Sequence, residues 1–151
     1  MKRPGLGLVL LFAVFTARAQ FPFTRSMEVG TGQLRPAISC MTQDSQGLLW
    51  VGSDIGVFRT DGDHSELVLR SEDHAVTAIT ALDEGIAAAF ASGVVVRCGA
   101  MGCDTLFSDT LLGRFPILGM RMDLSGTLWS ASGGAGVWLL KKGVVTRITQ
   151  V

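Results

Sequence analysis

Asp, Gly and Trp recur in one order at one spacing: Asp44, Gly47 and Trp50 return 79 residues later as Asp123, Gly126 and Trp129. A Gly-Val-aromatic run follows each triplet, Gly56-Val57-Phe58 in the first and Gly136-Val137-Trp138 in the second, with one residue inserted in between. The intervening stretch reads as a degraded middle copy. It keeps glycines at 85 and 93 and has Ala88 where the outer copies carry Trp. The turn glycines 47, 85 and 126 are thus 38 and 41 residues apart. A period near 40 implies a supersecondary unit that is stacked because it cannot bury its apolar face alone.

Within each copy, short apolar runs alternate with Gly or Asp turns. The spacing predicts strands at 38–43, 48–53, 57–60 and 66–69; at 76–82, 86–91, 94–98 and 105–107; and at 117–122, 127–132, 137–140 and 144–148. Strands of this length separated by tight turns make antiparallel meanders. No stretch past the N-terminal segment sustains a capped helical period. Asp opening a turn can accept backbone N–H bonds, and Gly closing it can take positive φ. A large indole on the second strand suits the gap between adjacent sheets, so Trp50 and Trp129 are expected as equivalent wedges. Four strands per 40 residues is the period of a β-propeller blade. The expected fold is all-β, with about three four-stranded blades at 34–70, 74–110 and 114–150 in one domain spanning 20–151.

The N-terminus carries an address. Lys2 and Arg3 precede an uncharged stretch from 4 to 17, and Ala17-Arg18-Ala19 places small residues before Gln20. This is the layout of a secretory signal peptide over 1–19, cut between Ala19 and Gln20. The apolar run is shorter than the roughly 20 residues of a spanning helix. Cleavage removes three basic residues and no acid, leaving a net charge of −3 and no remaining membrane span. The expected location is periplasmic or secreted. With 13 basic and 13 acidic residues overall, the chain lacks the basic surface of a nucleic-acid binder.

The run from Met41 to Gly62 resembles the two-component regulator propeller repeat, on Asp44, Gly47, Leu49, Trp50, Val51, Gly52, Gly56, Val57 and Phe58, with Ser53 where Thr is usual. The segment from Phe21 to Gly30 is similar to the lead-in before a first blade of such proteins. The resemblance implies a periplasmic ligand-sensing module of a two-component or hybrid histidine kinase sensor, with a small molecule or oligosaccharide as ligand. The output region of such a sensor is not in these 151 residues, and His64 and His74 lie in turns unsuited to a phosphoacceptor. Three blades do not close a ring, which takes 4 to 8. The chain is therefore expected to be an N-terminal fragment needing further blades, with self-association as the other way to close. The alternatives are part of an exported propeller enzyme of lyase or glycosidase type, or a non-catalytic scaffold for protein association.

Other candidates are weaker. Cys98 and Cys103 flank a four-residue turn, where paired residues approach closely enough for a disulfide in an oxidising compartment. Cys40 reads as a small buried apolar residue. Asp61-Gly-Asp63-His64 and Ser71-Glu72-Asp73-His74 look like metal boxes, but a strand separates them by some 20 Å. The stretch from Ser132 to Gly136 lacks the following Lys-Ser or Lys-Thr of a phosphate loop. No catalytic set, no metal site and no cofactor is expected, and no ligand-contacting residue is identified.

Overall fold

The computed structural model describes residues 26–30, 35–71 and 74–148. The expected signal segment, its cleavage site at Ala19 and Gln20, and Glu72 and Asp73 lie outside them. Twelve strands follow in order: β1 (Ile38–Gln43), β2 (Leu49–Ser53), β3 (Gly56–Thr60), β4 (Ser65–Arg70), β5 (Val76–Ala81), β6 (Ile86–Phe90), β7 (Val94–Gly99), β8 (Gly102–Ser108), β9 (Ile117–Met122), β10 (Leu128–Ser132), β11 (Val137–Lys141) and β12 (Val144–Ile148). They form three four-stranded antiparallel sheets, β1 to β4, β5 to β8 and β9 to β12, each in sequential order. The architecture is that of three propeller-like blades.

One helix interrupts the pattern: α1 (Thr110–Arg114), between the second and third blades. Asp109 caps it by accepting from the Leu111 amide, Arg114 complements its C-terminal end, and Leu112 is fully buried. Five residues are too few to show a helical period, so this turn was not legible in the sequence. It explains Gly93 instead. A side chain there would run into the Asp109 carbonyl and the Leu112–Gly113 peptide.

The blades stack through their first strands. Ser39 Oγ donates to the Val76 carbonyl at 2.6 Å, tying β1 to β5. Two apolar clusters fill the gaps. Between blades one and two, Trp50 and Val57 meet Val76, Ile79, Ile86, Ala88, Phe90, Val96 and Cys98. Between blades two and three, Ala78, Ala87, Ala89 and Val95 meet Leu112, Ile117, Leu128, Ala135 and Trp138. Each blade thus has a front face toward the next and a back face toward the one before, as strand alternation requires.

The middle copy needs a correction of register. Gln43 pairs with Leu49 across a five-residue loop, whereas Ala81 pairs with Ile86 across four. Pairing then equates Trp50 with Ala87, not Ala88: Trp50 lies opposite Thr42 and Arg59, and Ala87 opposite Thr80 and Arg97. Leu82, not Asp83, occupies the place of Asp44. Val95 stands where Val57 and Val137 do, one position beyond the expected Gly93-Val94 pair. A one-residue slip moves a side chain to the opposite face, which is why Ala88 packs backward onto Trp50.

Candidate functional site

The Asp–Trp repeat builds a clasp. Asp44 Oδ1 accepts from the amides of Gln46 at 2.9 Å and Leu48 at 3.0 Å, holding the β1–β2 loop, while Oδ2 accepts from Trp50 Nε1 at 2.7 Å. Asp123 repeats this, with Oδ1 taking the Ser125 and Thr127 amides at 2.8 and 2.9 Å and Oδ2 taking Trp129 Nε1 at 2.8 Å. The indole bond holds Asp123 far below the usual carboxylate range, with the Thr127 and Ser125 donors adding to it. At Asp44, partial burial pushes upward, but the Trp50, Leu48 and Gln46 donors and the Arg59 charge outweigh it and the pKa falls. The sequence showed the turn role of Asp but not its hold on the indole. The constant spacing of six residues from Asp to Trp was the available signal. In the middle blade Leu82 and Ala87 replace both halves of the clasp together.

The two indoles share this clasp but not their surroundings. Trp50 is 1% exposed, between blades one and two, with the Arg59 guanidinium 5.6 Å from its ring centre. Trp129 is 40% exposed. The expectation of two equivalent wedges is corrected here, because among the described residues no fourth sheet lies against the front of blade three. On that face Gly119, Arg121, Trp129, Ala131 and Val137 line an open groove of about 310 Å³. Val144 and Ile148 continue the same face on β12 and are also exposed.

The remaining sequence candidates disperse. Gly47, Gly56, Gly85, Gly93, Gly126 and Gly136 all take positive φ at turns. Gly52 lies inside β2 at a close approach of β1 and β5. Cys98 and Cys103 face each other across the β7–β8 hairpin and form a disulfide, with Cα atoms 4.1 Å apart. Its sulfur atoms belong to the cluster between blades one and two. Cys40 is a free thiol, half-buried rather than sealed, and burial raises its pKa. The stretch from Ser132 to Gly136 is anchored: Gly133 donates to the Pro116 carbonyl, Ser132 Oγ accepts from Ala135, and Arg147 donates to the Ala135 carbonyl.

A second groove, of about 330 Å³, lies beside the β3–β4 turn between Leu48, Arg59, Asp61, His64 and Glu66. Arg59 is paired with Glu66 at 2.7 Å, and Asp61 is used by the turn, accepting from the Asp63 and His64 amides. His64 and His74 lie beyond opposite ends of β4. Among the described residues no group of three His, Cys, Asp or Glu side chains is placed to hold a metal ion. The blades present turn loops at both ends and, on blade three, an open sheet face around Trp129.

No family model matches the sequence, and no curated protein does. Solved structures do. Two structures of the extracellular domain of a B. thetaiotaomicron protein match this chain, described as a hybrid two-component system in one and a one-component system in the other. Their TM-scores are 0.62 and 0.63, with 11% and 13% identity, over 76% of this chain in both. The match covers 16% of those chains, so this chain corresponds to a small part of their length. At this identity the likeness shows the fold alone. Among the described residues no helix is long and apolar enough to cross a membrane.

Proposed function

We propose that this chain is three blades of the ligand-sensing region of an exported two-component sensor of the regulator propeller repeat type. The observation that carries the reading is the clasped Trp129 on an open front face, at the place where Trp50 meets a following blade. The blade stack shared with extracellular sensor domains supports it. Residues 1–19 act as the signal peptide, and the remainder works in the periplasm as a binding module without a reaction of its own. The ligand is a small molecule or oligosaccharide held by loops at the blade ends, where variable side chains sit on a rigid frame.

A ligand touching loops of adjacent blades ties them together and stabilises the stack by RT ln(1 + [L]/Kd). At a hundredfold excess over Kd this amounts to about 2.7 kcal/mol, a rise of roughly 5–10 °C in Tm for a domain of this size. Thermal melts of the exported protein against a panel of oligosaccharides test it, and a panel in which no member raises Tm counts against the sensor reading. Mass spectrometry of protein secreted by a Gram-negative host tests the address, with a mature N-terminus at Gln20 expected.

A further inference from the structure

The two blade interfaces within the chain solve the same packing problem in opposite ways. At the first, the indole comes from the front: Trp50 on β2 meets Ala88 and its cross-strand partner Val96 on the back of blade two. At the second, the second strand of the front offers Ala87, and the indole comes from behind, as Trp138 with its cross-strand partner Ser130, stacked on Phe107 of β8 with ring centres 6.5 Å apart. In each gap the second strand of one blade and the third strand of the next supply one indole and one small side chain, Trp50 with Val96 and Trp138 with Ala87. Close-packed interiors demand this, since two small residues leave a void and two indoles overfill the layer.

The front of blade three carries an indole. We propose that this face receives a further four-stranded blade whose third strand presents a side chain of Ala or Val size opposite Trp129. The interface between blades one and two is the template. Val137 and Ala131 take the places of Val57 and Gly52, and both flank Trp129 as their counterparts flank Trp50. On this face Trp129 is 40%, Val144 65% and Ile148 51% exposed.

A second copy of this chain is a poor occupant for two reasons. The surface it would offer head to tail is the back of blade one, where Val51 and Phe58 are already buried. Residues 26–30 run alongside, with Ser65 Oγ donating to the Glu28 carbonyl. Phe58 also stands at the Trp138 position, so that face sets a large ring against Trp129. The proposal rests on reading the sheets as consecutive blades of one ring, and not on any ligand. A failed oligosaccharide screen leaves it intact.

The test extends the full chain beyond Val151 with a second copy of residues 74–109, either unchanged or with Val96→Trp in the added copy. Labelling with 5-fluorotryptophan gives separate 19F resonances for the indoles, and Trp129→Phe assigns the one of interest. Its solvent-isotope shift is expected to fall to that of Trp50 in the unchanged extension and to stay at the value of the unextended chain in the Trp version. Equal exposure of Trp129 in both versions overturns the proposal. So does a concentration-dependent dimer of the unextended chain in sedimentation that Trp129→Ser abolishes, since a second copy is then the occupant. The packing rule is also tested inside the chain. Ala87→Trp and Trp138→Val each lower Tm, and the double variant recovers at least half of the summed loss; no recovery refutes the rule.

Discussion

A methyl group added at Gly52 tests how closely the first two blades approach. Built on the backbone, a Cβ there lies 2.6 Å from Cys40 Sγ and 2.6 Å from Val76 Cγ1. One obstacle is on the same sheet and the other on the next blade's first strand. Val76 is fully buried within the inter-blade cluster and cannot swing away, while the half-buried Cys40 packs against that cluster. Overpacking of this kind costs about 1–3 kcal/mol, which lowers Tm by roughly 3–10 °C in a domain of this size. The third blade shows how the cost is relieved. Its equivalent pair is Ala131 with Gly119, so the methyl sits on the second strand and the first strand has lost its side chain. The middle blade divides the volume as Ala89 with Ala78. Cys40→Gly combined with Gly52→Ala reproduces the third-blade arrangement and removes the Sγ obstacle, leaving that of Val76. In urea unfolding followed by fluorescence, the double variant is expected to be more stable than the sum of the singles by about 1 kcal/mol. Wild-type stability for Gly52→Ala, or additivity within about 0.4 kcal/mol, refutes the reasoning.

Truncating the two clasped indoles should give opposite results in this chain: Trp50→Ala costs about 3–5 kcal/mol in urea unfolding, and Trp129→Ala well under half as much, because only the first leaves a cavity between blades. Replacing Cys98 and Cys103 together by Ala opens a short loop and is expected to cost about 2 kcal/mol by chain entropy, read as a lower Tm that reductant no longer shifts. Because the folded pKa values of Asp44 and Asp123 lie below those of the unfolded chain, their stabilisation is complete above the ordinary carboxylate range near pH 4. It is lost as pH falls further through the folded values, so urea midpoints measured from pH 7 to pH 2 should drop below about pH 4, and less steeply in Asp123→Asn. Among the described residues Ser130 Oγ, buried at the second interface, has no hydrogen-bond partner, so Ser130→Ala is expected to leave Tm unchanged or raise it slightly in thermal melts, and a fall of several degrees would show an unrecognised partner.

All twelve strands could be read from the sequence because turn chemistry and strand length act locally. Glycines with positive φ closed the loops, and strand-like runs of three to seven residues filled the intervals. Facing was harder to read. β6 is Ile-Ala-Ala-Ala-Phe, buried at every position, so it shows no alternation that would say which residues look forward. Aligning its loop on Gly85 then made Ala88 the counterpart of Trp50, one residue out of step. The slip hid the exchange that the cross-strand pairing reveals. Blade two carries neither Asp nor Trp at these positions, with Leu82 and Ala87 in their places. The missing indole volume returns from the other side of the gap as Trp138, whose back-face position marks it as a filler for blade two and not as a copy of Trp50. Trp129 is different again, because its clasp is complete and its own sheet leaves the ring half in water. Local repeat chemistry formed that side chain's geometry without a neighbour, and only the neighbour's shape remains to be supplied.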